Sequence, residues 1–160
     1  MPRQNKGFTF VEVMIVVFIL GIVALALVPT FSSYQDEQKL IGASSELATA
    51  LRFASSEATK TKTPLRVEIS PPAETYLVKD NTTGTLLLHP IEKNPFTSSL
   101  NSSSPYSGVD IATVNGSAAA STIVFNTRGT VAADTTIVLQ YAGHSRDIFI
   151  HSPTGRITVK

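Results

Sequence analysis

The sequence predicts an α+β protein in which a long N-terminal helix, membrane-spanning in its first half and amphipathic in its second, packs on an antiparallel β-sheet domain. Three observations predict it. Residues Phe8 to Val28 form a run of 21 that is apolar except for Thr9 and Glu12. Helical spacing of apolar residues then continues to about Lys62, and beyond Thr63-Pro64 the period drops to two. The 160 residues suit one compact domain, and 13 basic against 12 acidic side chains argue against a strongly basic nucleic-acid binder. Zero cysteines exclude a disulfide framework, thiolate-bound zinc and thiol catalysis.

From the N-terminus, Glu12 is the only charged side chain between Lys6 and Asp36. A helix over residues 8–29 is about 30 Å long, the thickness of a bilayer's hydrocarbon core. Arg3 and Lys6 precede it and no charge follows before Asp36, so the basic end should stay cytoplasmic and the remainder should cross the membrane. Pro29 has no backbone N–H to donate and is expected to kink the helix near Leu25 rather than end it.

An ordinary signal peptide would use Arg3 and Lys6 as its basic region and Ala24-Leu25-Ala26 as its cleavage site, giving an exported soluble protein. Glu12 opposes both that reading and a plain anchor, because a charge within a membrane helix costs about 2.5 to 3.5 kcal/mol on insertion scales. The stretch Lys6-Gly7-Phe8-Thr9-Phe10-Val11-Glu12, leading into an apolar helix that carries Pro29, resembles the class III leader junction of type IV pilins and type II secretion pseudopilins. The resemblance implies a leader, residues 1–7, removed by a prepilin peptidase after Gly7, and N-methylation of Phe8. Removal of Arg3 and Lys6 leaves 11 basic and 12 acidic side chains. It also exposes an ammonium at Phe8. In a stack of subunits the Glu12 carboxylate of one copy can meet the Phe8 ammonium of the next, offsetting two desolvation costs and setting the register.

Over residues 30–62, Tyr34, Ile41 and Ala48 repeat every seven residues, as do Leu40, Leu47 and Ala54, with Leu51 and Ala58 widening the stripe. Leu47 to Lys60 resembles the corresponding helix of the GspH/FimT branch of pseudopilins. The remaining residues, 63–160, read as the β-rich domain. Leu65, Val67 and Ile69 alternate with Arg66 and Glu68 until Pro71-Pro72. Residues 75–79 and 85–89 read as a hairpin around Asp80-Asn81-Thr82-Thr83-Gly84. Residues 91–108, rich in Ser and Pro, read as a long exposed loop. Val109 to Val114 precedes an Ala/Ser/Gly stretch. Four β-prone runs, 122–125, 135–141, 146–151 and 156–159, then read as an antiparallel meander, an order that is also similar to the GspH/FimT domain.

Catalytic and metal motifs are missing. There is no Gly-x-Ser-x-Gly elbow, His89, His144 and His151 lack ligand spacing, and the nine glycines stand singly at turns. The sequence thus implies no enzyme, no cofactor and no metal. FimT-like minor pilins that bind DNA in natural transformation carry a Gly-Arg-x-Arg tail. Gly155-Arg156-Ile157-Thr158 keeps only the first arginine, so Arg156 and Lys160 are the candidate nucleic-acid contacts of an alternative reading. The expectation is a minor pseudopilin or minor pilin of the bacterial inner membrane. It would be single-pass, with its C-terminal domain in the periplasm or outside, and its partners would be prepilin peptidase and the other pilins or pseudopilins of a type II secretion or type IV pilus filament.

Overall fold

The computed structural model describes residues 7–90, 93–100 and 105–160, with the side chains of 25–33 left out. Helix α1, Phe10–Thr61, contains 52 residues. The chain divides into two compact units, Met1–Gln35 and Asp36–Lys160.

In the first unit the described helix is apolar on every side. Phe10, Met14, Phe18 and Ile22 are exposed, and so are Val11, Ile15 and Ile19 on other faces. A helix of that kind buries its surface in lipid or in other proteins.

The second unit holds the core. Leu40, Ala43, Leu47, Leu51, Ala54 and Ala58 of α1 are buried, at the three- and four-residue steps of a single helix face. These side chains share one core cluster with the buried residues of the strands. Ile41 is half-buried, and Tyr34, which the seven-residue pattern places on the stripe, is 60% exposed and belongs to the first unit.

Eight strands follow: β1 Leu65–Ser70, β2 Thr75–Asp80, β3 Thr97–Ser99, β4 Asp110–Val114, β5 Ser121–Phe125, β6 Thr135–Tyr141, β7 His144–His151 and β8 Arg156–Val159. They form two four-stranded sheets, ordered β3-β2-β1-β5 and β4-β6-β7-β8. All named pairings are antiparallel. In β1 the alternation expected from sequence is observed, with Leu65, Val67 and Ile69 inward. Ile137 and Leu139 of β6, Ile148 and Ile150 of β7 and Ile157 of β8 extend the same core.

Three expectations change. First, β5 does not join the C-terminal meander: it pairs with β1 in the other sheet, Leu65 opposite Phe125 and Val67 opposite Ile123. Alternation shows which side chains face inward, and it carries no information about which sheet receives the strand. Second, residues 85–89 touch β2 and Pro95 only through isolated bridges, Lys79 to Leu86 and Leu88 to Pro95. Third, the stretch 91–108 is not wholly an exposed loop. It contains β3, and Phe96 and Leu100 within it are buried. Backbone bonds from Val78 N–H to the Phe96 carbonyl at 3.0 Å and from Leu100 N–H to the Glu74 carbonyl at 2.8 Å hold it beside β2; residues 91–92 and 101–104 lie outside the described residues.

Candidate functional site

The expected processing junction sits in front of the helix. Residues 7–9 are not helical, no atom outside its chain neighbours lies within 4 Å of a Cβ built on Gly7, and Phe8 is 81% exposed. The described side of the Gly7–Phe8 junction is therefore non-helical and exposed. Arg3 and Lys6 lie outside the described residues.

Glu12 has a local partner that sequence reasoning overlooked. Its backbone N–H donates to Thr9 Oγ1 at 3.2 Å, and the Thr9 N–H donates to Glu12 Oε2 at 3.4 Å. Val13 N–H closes the first helical turn on the Thr9 carbonyl at 3.2 Å. This reciprocal pair is a capping box, with Thr9 at the N-cap and Glu12 three residues on. The Thr-x-x-Glu spacing before an apolar run was its readable signal. The cap fixes Glu12 on the first turn, pointing back toward Phe8.

Among the described residues no helix is long and apolar enough to cross a membrane. The described apolar side chains end at Ala24; the rest of the expected 8–29 span, Pro29 and its kink included, falls outside the described side chains.

The nucleic-acid candidates stand on the outward face of β7 and β8. Arg156 is exposed and pairs across the ladder with His151, while Lys160 Nζ lies 5.3 Å from the centroid of the Phe149 ring. Asp147 exchanges backbone hydrogen bonds with Lys160 at 3.1 and 2.9 Å, which places an acidic residue opposite Lys160 on the strand ladder. Arg128 lies in the turn after β5, on the other sheet's connection. The structure thus gathers Arg156 and Lys160 on one mixed surface. Among the described residues no group of three or more acidic, His or Cys side chains is placed to hold a metal ion.

A second feature has no counterpart in the sequence reading. Between α1 and the β2–β3 region lies a cavity of about 560 Å³, lined in part by Glu46, Tyr76, His89, Phe96, Ser98 and Tyr106. Glu46 Oε1 accepts from the Tyr76 hydroxyl and from Ser98 Oγ, both at 2.7 Å. Burial first, and then the adjoining Glu46, hold the Tyr76 phenol well above the usual tyrosine range. Glu46 occupies a polar position on the helix, and nothing in its local sequence signals partners 30 and 52 residues away.

The prokaryotic N-terminal methylation motif matches residues 2–28. A type II secretion system core protein G from Pseudomonas aeruginosa is 44% identical over 45 residues, which are 28% of this chain and 32% of that protein, so the likeness spans about a third of its length. The fold resembles the minor pilin FimU of Pseudomonas aeruginosa, with a TM-score of 0.57 at 18% identity over 79% of this chain and 92% of that one. It also resembles the minor pseudopilin EpsH from the type 2 secretion system of Vibrio cholerae, with a TM-score of 0.59 at 11% identity over 76% of this chain and 96% of that one. The family model for the type II transport protein GspH matches residues 43–155, the greater part of the β-bearing unit and its helix, and on that match the chain belongs to the GspH family.

Proposed function

We propose that the chain is a minor pseudopilin or minor pilin subunit that is cut between Gly7 and Phe8, N-methylated at Phe8, and assembled through its apolar helix into a type II secretion or type IV pilus filament. One observation carries this reading: an exposed Gly7–Phe8 junction leads directly into a helical stretch, residues 10–24, whose side chains are unburied on all faces and apolar but for Glu12. Such a surface needs lipid before assembly and neighbouring helices afterwards. Before cleavage the capping box gives Glu12 a weak partner. After cleavage a stronger one, the Phe8 ammonium of an adjoining subunit, is within the chemistry of the same turn. The family and the named relatives support the reading, and it includes a bacterial inner-membrane location with the domain of residues 63–160 on the outer side.

Two measurements test it. Mass spectrometry of the native chain should give a mature start at N-methylated Phe8; a start at Leu27 would instead identify an ordinary exported protein. Replacing Glu12→Leu should leave cleavage intact and lower recovery in sheared filaments by about tenfold or more, the loss expected when one charge-assisted pair is removed. Normal filament entry by this variant would overturn the pairing.

A further inference from the structure

We propose that the outer edge of β8, with the groove between it and α1, is a docking site for an extended acidic segment of a partner protein, added to the sheet as a further strand. β8 is last in the order β4-β6-β7-β8, and among the described residues no strand pairs with it on the side away from β7. Its register on β7 is regular over all four pairs, from Ile148 opposite Val159 to His151 opposite Arg156, whereas β4 at the other edge of the sheet carries a register shift between Ile111 and Thr113. Asp147 and Lys160 exchange both of their backbone bonds across the ladder. Antiparallel pairs alternate, so Thr158 and Arg156 turn their backbone polar groups toward β7, while Ile157 and Val159 turn theirs outward. The Ile157 carbonyl confirms this phase, since it accepts from Arg52 Nη2 of α1, at the long distance of 3.4 Å. A regular strand edge of this kind is a template for another strand.

The surroundings of the edge select the partner's charge. Arg52, Ser56, Thr59 and Lys60 stand at three- and four-residue steps along one stripe of α1, and with Gly155 and Ile157 they line an open cavity of about 380 Å³ whose lining contains no carboxylate. Arg52 is exposed and takes part in no ion pair among the described residues, and Lys60, also exposed, has only the loose 3.4 Å pair with Glu57 of its own helix. On β8 itself Arg156 and Lys160 are exposed. Four cations thus flank the edge against two acidic neighbours, Glu57 and Asp147. A strand laid along β8 bonds Ile157 and Val159 through its backbone, and its carboxylates offer Arg52 a bidentate partner in place of the long carbonyl contact. A nucleic acid offers phosphates to the same cations but no backbone donors and acceptors in strand register. The edge therefore favours a protein.

The test titrates the full-length chain in detergent micelles with the peptide acetyl-Glu-Val-Glu-Val-Glu-amide, followed by amide chemical shifts and hydrogen exchange. Saturable shifts at Ile157, Val159 and Arg52 are expected, with exchange of the Ile157 and Val159 amides slowed by about tenfold or more. The Gln-Val-Gln-Val-Gln analogue should bind about tenfold more weakly or worse, and so should the Glu peptide to Arg52→Gln. The Glu peptide methylated on its backbone nitrogens keeps its charge but loses its strand donors, and should leave exchange unchanged. Absence of saturation in the wild-type chain, equal responses to the Glu and Gln peptides, or equal responses to the methylated peptide each overturn the proposal without depending on how any variant folds. Saturation of the same amides by a thymidine oligonucleotide, with no response to the peptide, overturns it in favour of a phosphate ligand.

Discussion

Tyr76 shows how much one residue can report. Its ring is 2% exposed and its hydroxyl is held by Glu46 at 2.7 Å, so the folded state resists ionisation of the phenol. An ordinary tyrosine ionises near 10, whereas the folded-state value here is raised. The unfolded chain therefore loses this proton first as pH rises, and the stability contribution is complete below about pH 10 and declines above it. Urea unfolding at pH 9, 10 and 11 should show a steeper loss for the wild type than for Tyr76→Phe. At neutral pH the same variant should cost about 0.5 to 1.5 kcal/mol, the usual net worth of one hydrogen bond. Of the residues the proposed function uses, Gly7, Phe8 and Glu12 were conspicuous because a charge inside a greasy run is rare. Tyr76 and Glu46 were not, since an isolated tyrosine in an alternating strand and an isolated glutamate on a helix each look ordinary until the fold brings them together.

At the scale of elements, the hairpin between β6 and β7 is the clearest case of local chemistry setting geometry. Ala142 and Gly143 both have positive φ, 49° and 84°, the backbone of a two-residue type I′ turn. Glycine adopts this freely, but alanine pays a steric penalty that asparagine largely escapes. Ala142→Asn should therefore raise stability by about 0.5 to 1 kcal/mol, measurable as a rise in the thermal midpoint with no change in the β6–β7 register. The strands of this hairpin were legible because their alternation is regular and their turn is short. The placement of β5 was not, because the choice between β1 and β6 as a neighbour depends on packing Ile123 and Phe125 beside Leu65 and Val67, contacts more than 50 positions apart. Short β3 escaped notice for a related reason: three residues, Thr97–Ser99, are too few to show a period, and Phe96 and Leu100 bury themselves through contacts the segment itself does not encode.

At the scale of the whole second unit, three distant segments meet at two glycines. Ser55 Oγ on α1 donates to the Gly129 carbonyl at 2.6 Å, and a Cβ on Gly129 would stand 2.7 Å from the Ser55 carbonyl. A Cβ on Gly155 would strike the Gly129 carbonyl oxygen, and both glycines have positive φ, 74° and 67°. Ser152 ties the same turn to Asp134 at 2.6 Å and to the Val131 carbonyl at 3.0 Å. Gly155→Ala combines strained backbone with backbone overlap and should cost about 2 to 4 kcal/mol in chemical denaturation. The α+β architecture was readable in the sequence from its two hydrophobic periods, yet this meeting point was not, since the two turns appeared as separate punctuation.

That tripod of helix, link and terminal turn spans 100 positions from Ser55 to Gly155. Bringing such distant positions together costs chain entropy, so the latch is predicted to engage late, on the native side of the folding barrier. Its strength then governs how long the molecule stays shut more than how fast it collapses, and stopped-flow traces of Gly155→Ala should show faster opening with nearly unchanged refolding.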